Sequence, residues 1–167
     1  ADWPIGYDDL APAYERAVNY GAYSGALREL VHLLKYGRVR TAAAPLARLT
    51  AEACLQLEGD IDVAELLMIP VPAHKVRLRT RGFNQAEDLA MRLGVPLAVA
   101  LRRVRATATQ ADLPAAQRHA NVRGAFEATR QVRSIEGSAV VLVDDVSTTG
   151  ATLDACARAL KAAGVAE

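Results

Sequence analysis

The chain has 167 residues, 51% apolar and 23% charged, with 5% aromatics. That composition suits one globular domain with a full core and excludes a disordered or fibrous chain. The net charge of +1 hides a segregation: residues 1–68 sum to −4, residues 69–133 to +8 and residues 134–167 to −3.

Residues 1–16 have little periodicity and read as an N-terminal arm, with one domain over residues 17–167. Residues 17–23 predict a short strand. Ser24 is placed as an N-cap, and Leu27, Leu30, Val31 and Leu34 follow at helical spacing until Gly37. Residues 41–57 predict an Ala-rich helix. Residues 64–71 predict a buried strand stopped by Pro70 and Pro72.

Lys75, Arg77, Arg79 and Arg81 fall on every second position, which would line one side of an extended loop. Gly82 permits a turn, and residues 84–93 predict a helix. Residues 97–101 predict a strand, 102–117 a long loop and 115–122 a short helix. Residues 139–143 are five consecutive apolar positions, which predict a strand buried on both faces. A last helix is expected from Gly150 to Ala163, stopped by Gly164. Apolar strands alternating with helices predict an α/β fold, a mostly parallel sheet with helices on both faces.

Two cysteines, Cys54 and Cys156, lie far apart, and His32, His74 and His119 do not cluster. Nothing in their spacing supports zinc or a disulfide framework, and both thiols are expected to be small buried groups in helices. No apolar run reaches transmembrane length and no signal peptide is visible, so the default expectation is a cytoplasmic protein without a membrane partner.

Ligands of open α/β sheets bind beyond the carboxyl ends of strands. Asp144 and Asp145 stand at such an end. Two adjacent carboxylates repel in a dry interior unless they face solvent, a metal or hydroxyl donors, and the vicinal hydroxyls of a ribose are suitable donors. Ser147, Thr148, Thr149, Gly150, Ala151 and Thr152 then lead into a helix. Small residues and a glycine let the backbone approach an anion, and N–H groups at a helix start point at it. A helix cap would explain one hydroxyl, but not an acidic pair, three threonines and a glycine together. Neither GxxxxGK[ST] nor GxGxxG is present.

The loop cannot act alone. A helix terminus contributes about 0.3–1 kcal/mol, whereas micromolar affinity requires about 8 kcal/mol. The cationic stretch at 75–81 also follows a predicted strand and suits a pyrophosphate or a nucleic-acid backbone. Arg102, Arg103, Arg105, Gln110, Arg118, Asn121 and Arg123 belong to a loop that could fold over a ligand.

VVLVDDVSTTGAT at 140–152 resembles the phosphoribosyl-pyrophosphate (PRPP) motif of type I phosphoribosyltransferases, with Ser147 where an aliphatic residue is usual. KYGR (35–38), PVPAHKVRLRTRGFNQA (70–86) and TQADLPAAQRHANVRGAF (109–126) narrow the resemblance to the competence-associated ComF/GntX family. It covers roughly residues 20–164.

The resemblance implies a type I phosphoribosyltransferase fold and a glycosyltransferase reaction with Mg²⁺ and release of pyrophosphate. Asp144 and Asp145 would be the catalytic pair, binding ribose hydroxyls directly or through Mg²⁺ and water. Thr148, Thr149, Gly150, Ala151 and Thr152 would hold the 5-phosphate. The loop from Val71 with Lys75, Arg77, Arg79 and Arg81 would take the pyrophosphate, and Arg103, Arg105, Gln110 and Arg118 would sit on the flexible loop.

The cysteine-rich zinc ribbon common in that family is not present in this chain, and after Gly164 the fold would begin another strand. The acceptor is not named by these residues, and no side chain is assigned as its general base. Two other functions fit the resemblance. One is a DNA-uptake accessory factor that binds single-stranded DNA and other uptake proteins, although Phe83 and Phe126 are the only aromatics in the basic block. The other is a PRPP sensor without turnover. The oligomeric state is open, a homodimer included.

Overall fold

A computed structural model describes residues 12–37, 39–57, 66–108, 110 and 113–165. Residues 1–11 of the expected arm, and residues 64 and 65 of the strand expected at 64–71, lie outside these residues.

Helix α1 (Gly25–Lys35) buries Val31 and Leu34, as the spacing predicts. The second expected helix is shorter: 3₁₀ turns at Arg40–Ala42 and Leu55–Leu57 flank α2 (Ala43–Cys54). Strand β1 is Leu67–Pro70 and β4 is Val140–Val143. They pair in parallel, Leu67 opposite Val140 and Pro70 opposite Val143. Leu97 forms an isolated parallel bridge with Met68 on the other side of β1.

Alternation along these strands assigns the two faces. Met68, Val141 and Val143 pack with Val31, Leu34, Leu46 and Leu89 on the side of α1, α2 and α4 (Gln85–Ala90). Ile69, Val140 and Leu142 pack with Val122, Cys156 and Leu160 on the side of α5 (Ala115–Val122) and α6 (Ala151–Lys161). Parallel strands are thus covered on both faces, the arrangement the α/β alternation predicts.

Several expectations fail. Residues 17–23 form no strand. Lys75–Arg81 is not extended but forms α3, because His74 caps it, its Nδ1 accepting from the Val76 N–H at 3.3 Å, and Gly82 ends it at φ 84°. Of the strand predicted at 97–101, Leu97 keeps an isolated bridge and Leu101 opens a later strand. That strand is β2 (Leu101–Arg103), antiparallel to β3 (Phe126–Ala128), so the expected loop begins later. Strand β4 is also less buried than its composition suggests. Val140, Val141 and Leu142 are half-buried, because among the described residues β4 pairs only with β1 and a groove of about 870 Å³ borders it and the segment at 13–23.

Candidate phosphoribose site at the end of β4

The chain leaves β4 at Val143, whose carbonyl accepts from the Val71 N–H at 2.9 Å. The two loops after β1 and β4 therefore start side by side at the carboxyl ends of their strands. Val71 is further held through its carbonyl, which accepts from Asn84 Nδ2 at 3.1 Å.

Asp144 Oδ1 accepts from the Asp145 N–H at 2.8 Å. Desolvation, and then the charge of Asp145, pushes the Asp144 carboxyl up to about 7, against the pull of Lys35. Asp145 instead pairs with Lys35, Nζ to Oδ1 3.0 Å, and both side chains are largely buried. The acidic pair is therefore split by environment: one carboxyl disposed to keep its proton, the other matched by an ammonium from α1.

Gly150 stands at φ 72°, the left-handed region, and opens α6. A side chain with Cβ would strain this turn. Thr148 is exposed. The Thr149 hydroxyl is buried and has no partner among the described residues. Thr152 Oγ1 accepts from Gln110 Nε2 at 3.3 Å. An unmatched buried hydroxyl at the start of a helix is the feature an anionic ligand would complete.

Among the described residues no three or more His, Cys, Asp or Glu are grouped to hold a metal ion. A Mg²⁺ there would draw most of its shell from ligand oxygens and water, with Asp144 and Asp145 as the available protein oxygens.

The cations divide. Lys75 and Arg79 are exposed on one side of α3, four residues apart, while Arg77 and Arg81 are half-buried on another. A helix rotates alternate residues away from each other, so the four do not line one edge. Arg77 approaches Arg103, whose guanidinium is pulled below its usual value first by desolvation and then by the charge of Arg77, while Asp144 acts in the opposite sense. Arg103 stacks 5.2 Å over Phe126, hydrogen-bonds Thr107, and leaves Nε buried without a partner among the described residues. It thus belongs with Asp144.

Arg105 does not. Its Nη2 donates to the Asn121 and Arg123 carbonyls at 2.9 and 2.6 Å, fastening the loop to the end of α5. Arg118 donates to the Leu113 carbonyl at 3.1 Å and also serves its own loop. Gln110 alone of that loop's polar candidates reaches α6, supported by Asn121 Nδ2 at 3.3 Å from Gln110 Oε1.

Sequence reasoning missed Lys35 as a partner of Asp145, although it opens the KYGR stretch. It also missed Asp88, only 1% exposed, which accepts from Arg40 Nε at 3.1 Å and Nη2 at 2.6 Å, with Arg92 Nη1 3.4 Å away. Burial alone would raise that carboxyl, but the Arg40 and Arg92 contacts leave it below the usual range. An acid among the apolar positions of α4 was the available signal. Cys156 is fully buried, and burial followed by the charge of Asp144 holds it as a thiol, whereas Cys54 is half-buried.

The model of the phosphoribosyl transferase domain matches residues 76–167. DNA utilization protein YhgH of Salmonella typhi is 37% identical over 161 residues, 93% of this chain and 70% of the relative. The Escherichia coli K12 protein of the same name is 34% identical over the same shares. Competence protein F of Haemophilus influenzae is 32% identical, over 93% of this chain and 71% of that protein. No solved structure gives a significant match. With α/β layers covered on both faces and an acidic pair at the end of β4, the chain belongs to the phosphoribosyl transferase domain family, with the ComF-type proteins.

Proposed function

We propose that the chain binds PRPP at the β4–α6 turn and transfers its phosphoribose to an acceptor. The buried, unmatched Thr149 hydroxyl, between the acidic pair and the left-handed Gly150, carries this reading. Asp144 and Asp145 take the ribose hydroxyls. Thr148–Thr152 and the first N–H groups of α6 take the 5-phosphate. Asp144 and Asp145 would hold a Mg²⁺, directly or through water, which would supply charge neutralisation to the leaving pyrophosphate.

In the transfer, the acceptor's electron pair forms a bond to C1 of the ribose as the C1–O bond to pyrophosphate breaks. Pyrophosphate departs with that electron pair, and the acceptor's proton goes to solvent. The chain's part is to orient the sugar, offset leaving-group charge through Arg103, and exclude water through the Gln110 contact to Thr152. Calorimetry with PRPP and Mg²⁺ tests this: binding is expected for the native chain and lost in Asp144→Asn/Asp145→Asn. Equal binding by both proteins sinks it. Release of pyrophosphate separates a transferase from a protein that only senses PRPP.

A second reading rests on the relatives' names, which speak of DNA utilization and competence, and on the exposed Lys75 and Arg79 of α3. On it, the chain contacts single-stranded DNA through phosphates. Affinity for an oligonucleotide should then fall steeply with salt, and Lys75→Gln/Arg79→Gln should flatten that dependence.

A further inference from the structure

Residues 35–37 and 81–85, to which the proposed transfer gives no role, meet in space. The Arg81 guanidinium lies 5.3 Å over the Tyr36 ring, and Arg40, just after the first stretch, lies 5.2 Å over Phe83. Arg81 is steadied by Gln85, Nη1 to Oε1 3.1 Å. Gln85 is itself 3% exposed, with an amide nitrogen that has no partner among the described residues.

Between α1 and α3 these contacts leave a cavity of about 260 Å³ lined by Lys35, Tyr36, Val76, Arg77, Thr80 and Arg81. Three of the six are cations and none is an acid. Lys35 is offset by Asp145, but Arg77 and Arg81 have no ion-pair partner among the described residues. Tyr36 is 61% exposed and presents ring surface beside them.

We propose that this corner is a binding site for a planar, negatively charged ring, an aromatic or heteroaromatic carboxylate. Like charges gathered without acids favour an anion. An exposed ring stacked with a guanidinium favours a flat ligand. A free phosphate would use the cations and ignore the ring, and a neutral base would do the reverse. At about 260 Å³ the cavity is smaller than the roughly 300–1,000 Å³ of drug-sized ligand sites, which favours a single ring with a carboxylate over a nucleotide.

Lys35 links the corner to the acidic pair, since it lines the cavity and its ammonium holds Asp145. The ligand would therefore lie one side chain from the sugar, the place of an acceptor. Only the word acceptor rests on the PRPP reading.

Orotate, uracil and inorganic pyrophosphate titrated into the native chain without PRPP test the site. Orotate should bind at least about tenfold more tightly than uracil. Tyr36→Ala should weaken orotate about tenfold and leave pyrophosphate unchanged, while Tyr36→Phe keeps orotate binding. Arg81→Lys, which keeps the charge and loses the plane, should weaken orotate with the circular dichroism unaltered. Absence of orotate binding, equal affinity for uracil, or equal loss of orotate and pyrophosphate in Tyr36→Ala overturns the proposal. Orotate binding that persists in Asp144→Asn/Asp145→Asn while PRPP fails in the native chain would sink the phosphoribose reading and leave this site standing.

Discussion

The β4–α6 turn gathers acids and the α1–α3 corner gathers cations, and Lys35, which lines the corner, reaches into the turn. The turn gathers two carboxylates and a buried hydroxyl without a partner. The corner gathers three cations, of which, among the described residues, only Lys35 has an acid. Among the described residues Lys35–Asp145, at 3.0 Å, is the one ion pair that joins them. A structure selected only for stability would close such gaps with partners or apolar groups. On the proposed reading, PRPP completes the turn and a separate planar anion completes the corner.

The largest effect should come from removing the acidic pair. Asp144→Asn/Asp145→Asn should lower PRPP affinity by about a hundredfold or more, given hydrogen bonds to charged groups of about 1.5–3 kcal/mol each. Stability should move the other way. The folded pKa of Asp144, about 7, lies above its ordinary 3.8. Between those values the native chain binds more protons than the unfolded one, so stability falls as pH rises from about 4 to about 7. Asp144→Asn should remove that slope and stabilise the ligand-free protein at pH 8 by on the order of a few kcal/mol. Denaturant titrations at pH 5 and pH 8 read this directly, and a native chain equally stable at both would break the comparison.

Gly150→Ala places a Cβ at φ 72° and should cost about 1 kcal/mol, lowering the melting temperature by roughly 2–4 °C. Thr149→Val should sharpen the contrast further. Removing an unmatched buried hydroxyl should leave the free protein equally or more stable while weakening PRPP binding. The smallest effect belongs to the corner: Tyr36→Ala should change stability by less than about 0.5 kcal/mol, because the ring is exposed.

The two regions also differ in how far the amino-acid order discloses them. The turn is contiguous, so its acids, threonines and glycine could be read as one device, and α5 falls at its expected residues. The corner is assembled from segments about forty residues apart, and Lys35 meets Asp145 across a still longer separation. No local pattern encodes that meeting. Alternation of Lys75, Arg77, Arg79 and Arg81 with Val76 and Leu78 mimics a strand, but the His74 cap and the Gly82 stop make it helix. Strand β3 went unseen because three residues with a central glutamate carry too little periodicity. A loop arginine that serves backbone carbonyls, as Arg105 does, is indistinguishable in sequence from one that awaits a phosphate.

Titration of PRPP with Mg²⁺ into the native chain, Thr149→Val and Asp144→Asn/Asp145→Asn is the most direct measurement. Saturable binding by the native chain, weaker binding by Thr149→Val and none by the double variant is the expected order. Absence of binding by the native chain, or the same affinity in all three, would contradict the assignment of the β4–α6 turn to phosphoribose.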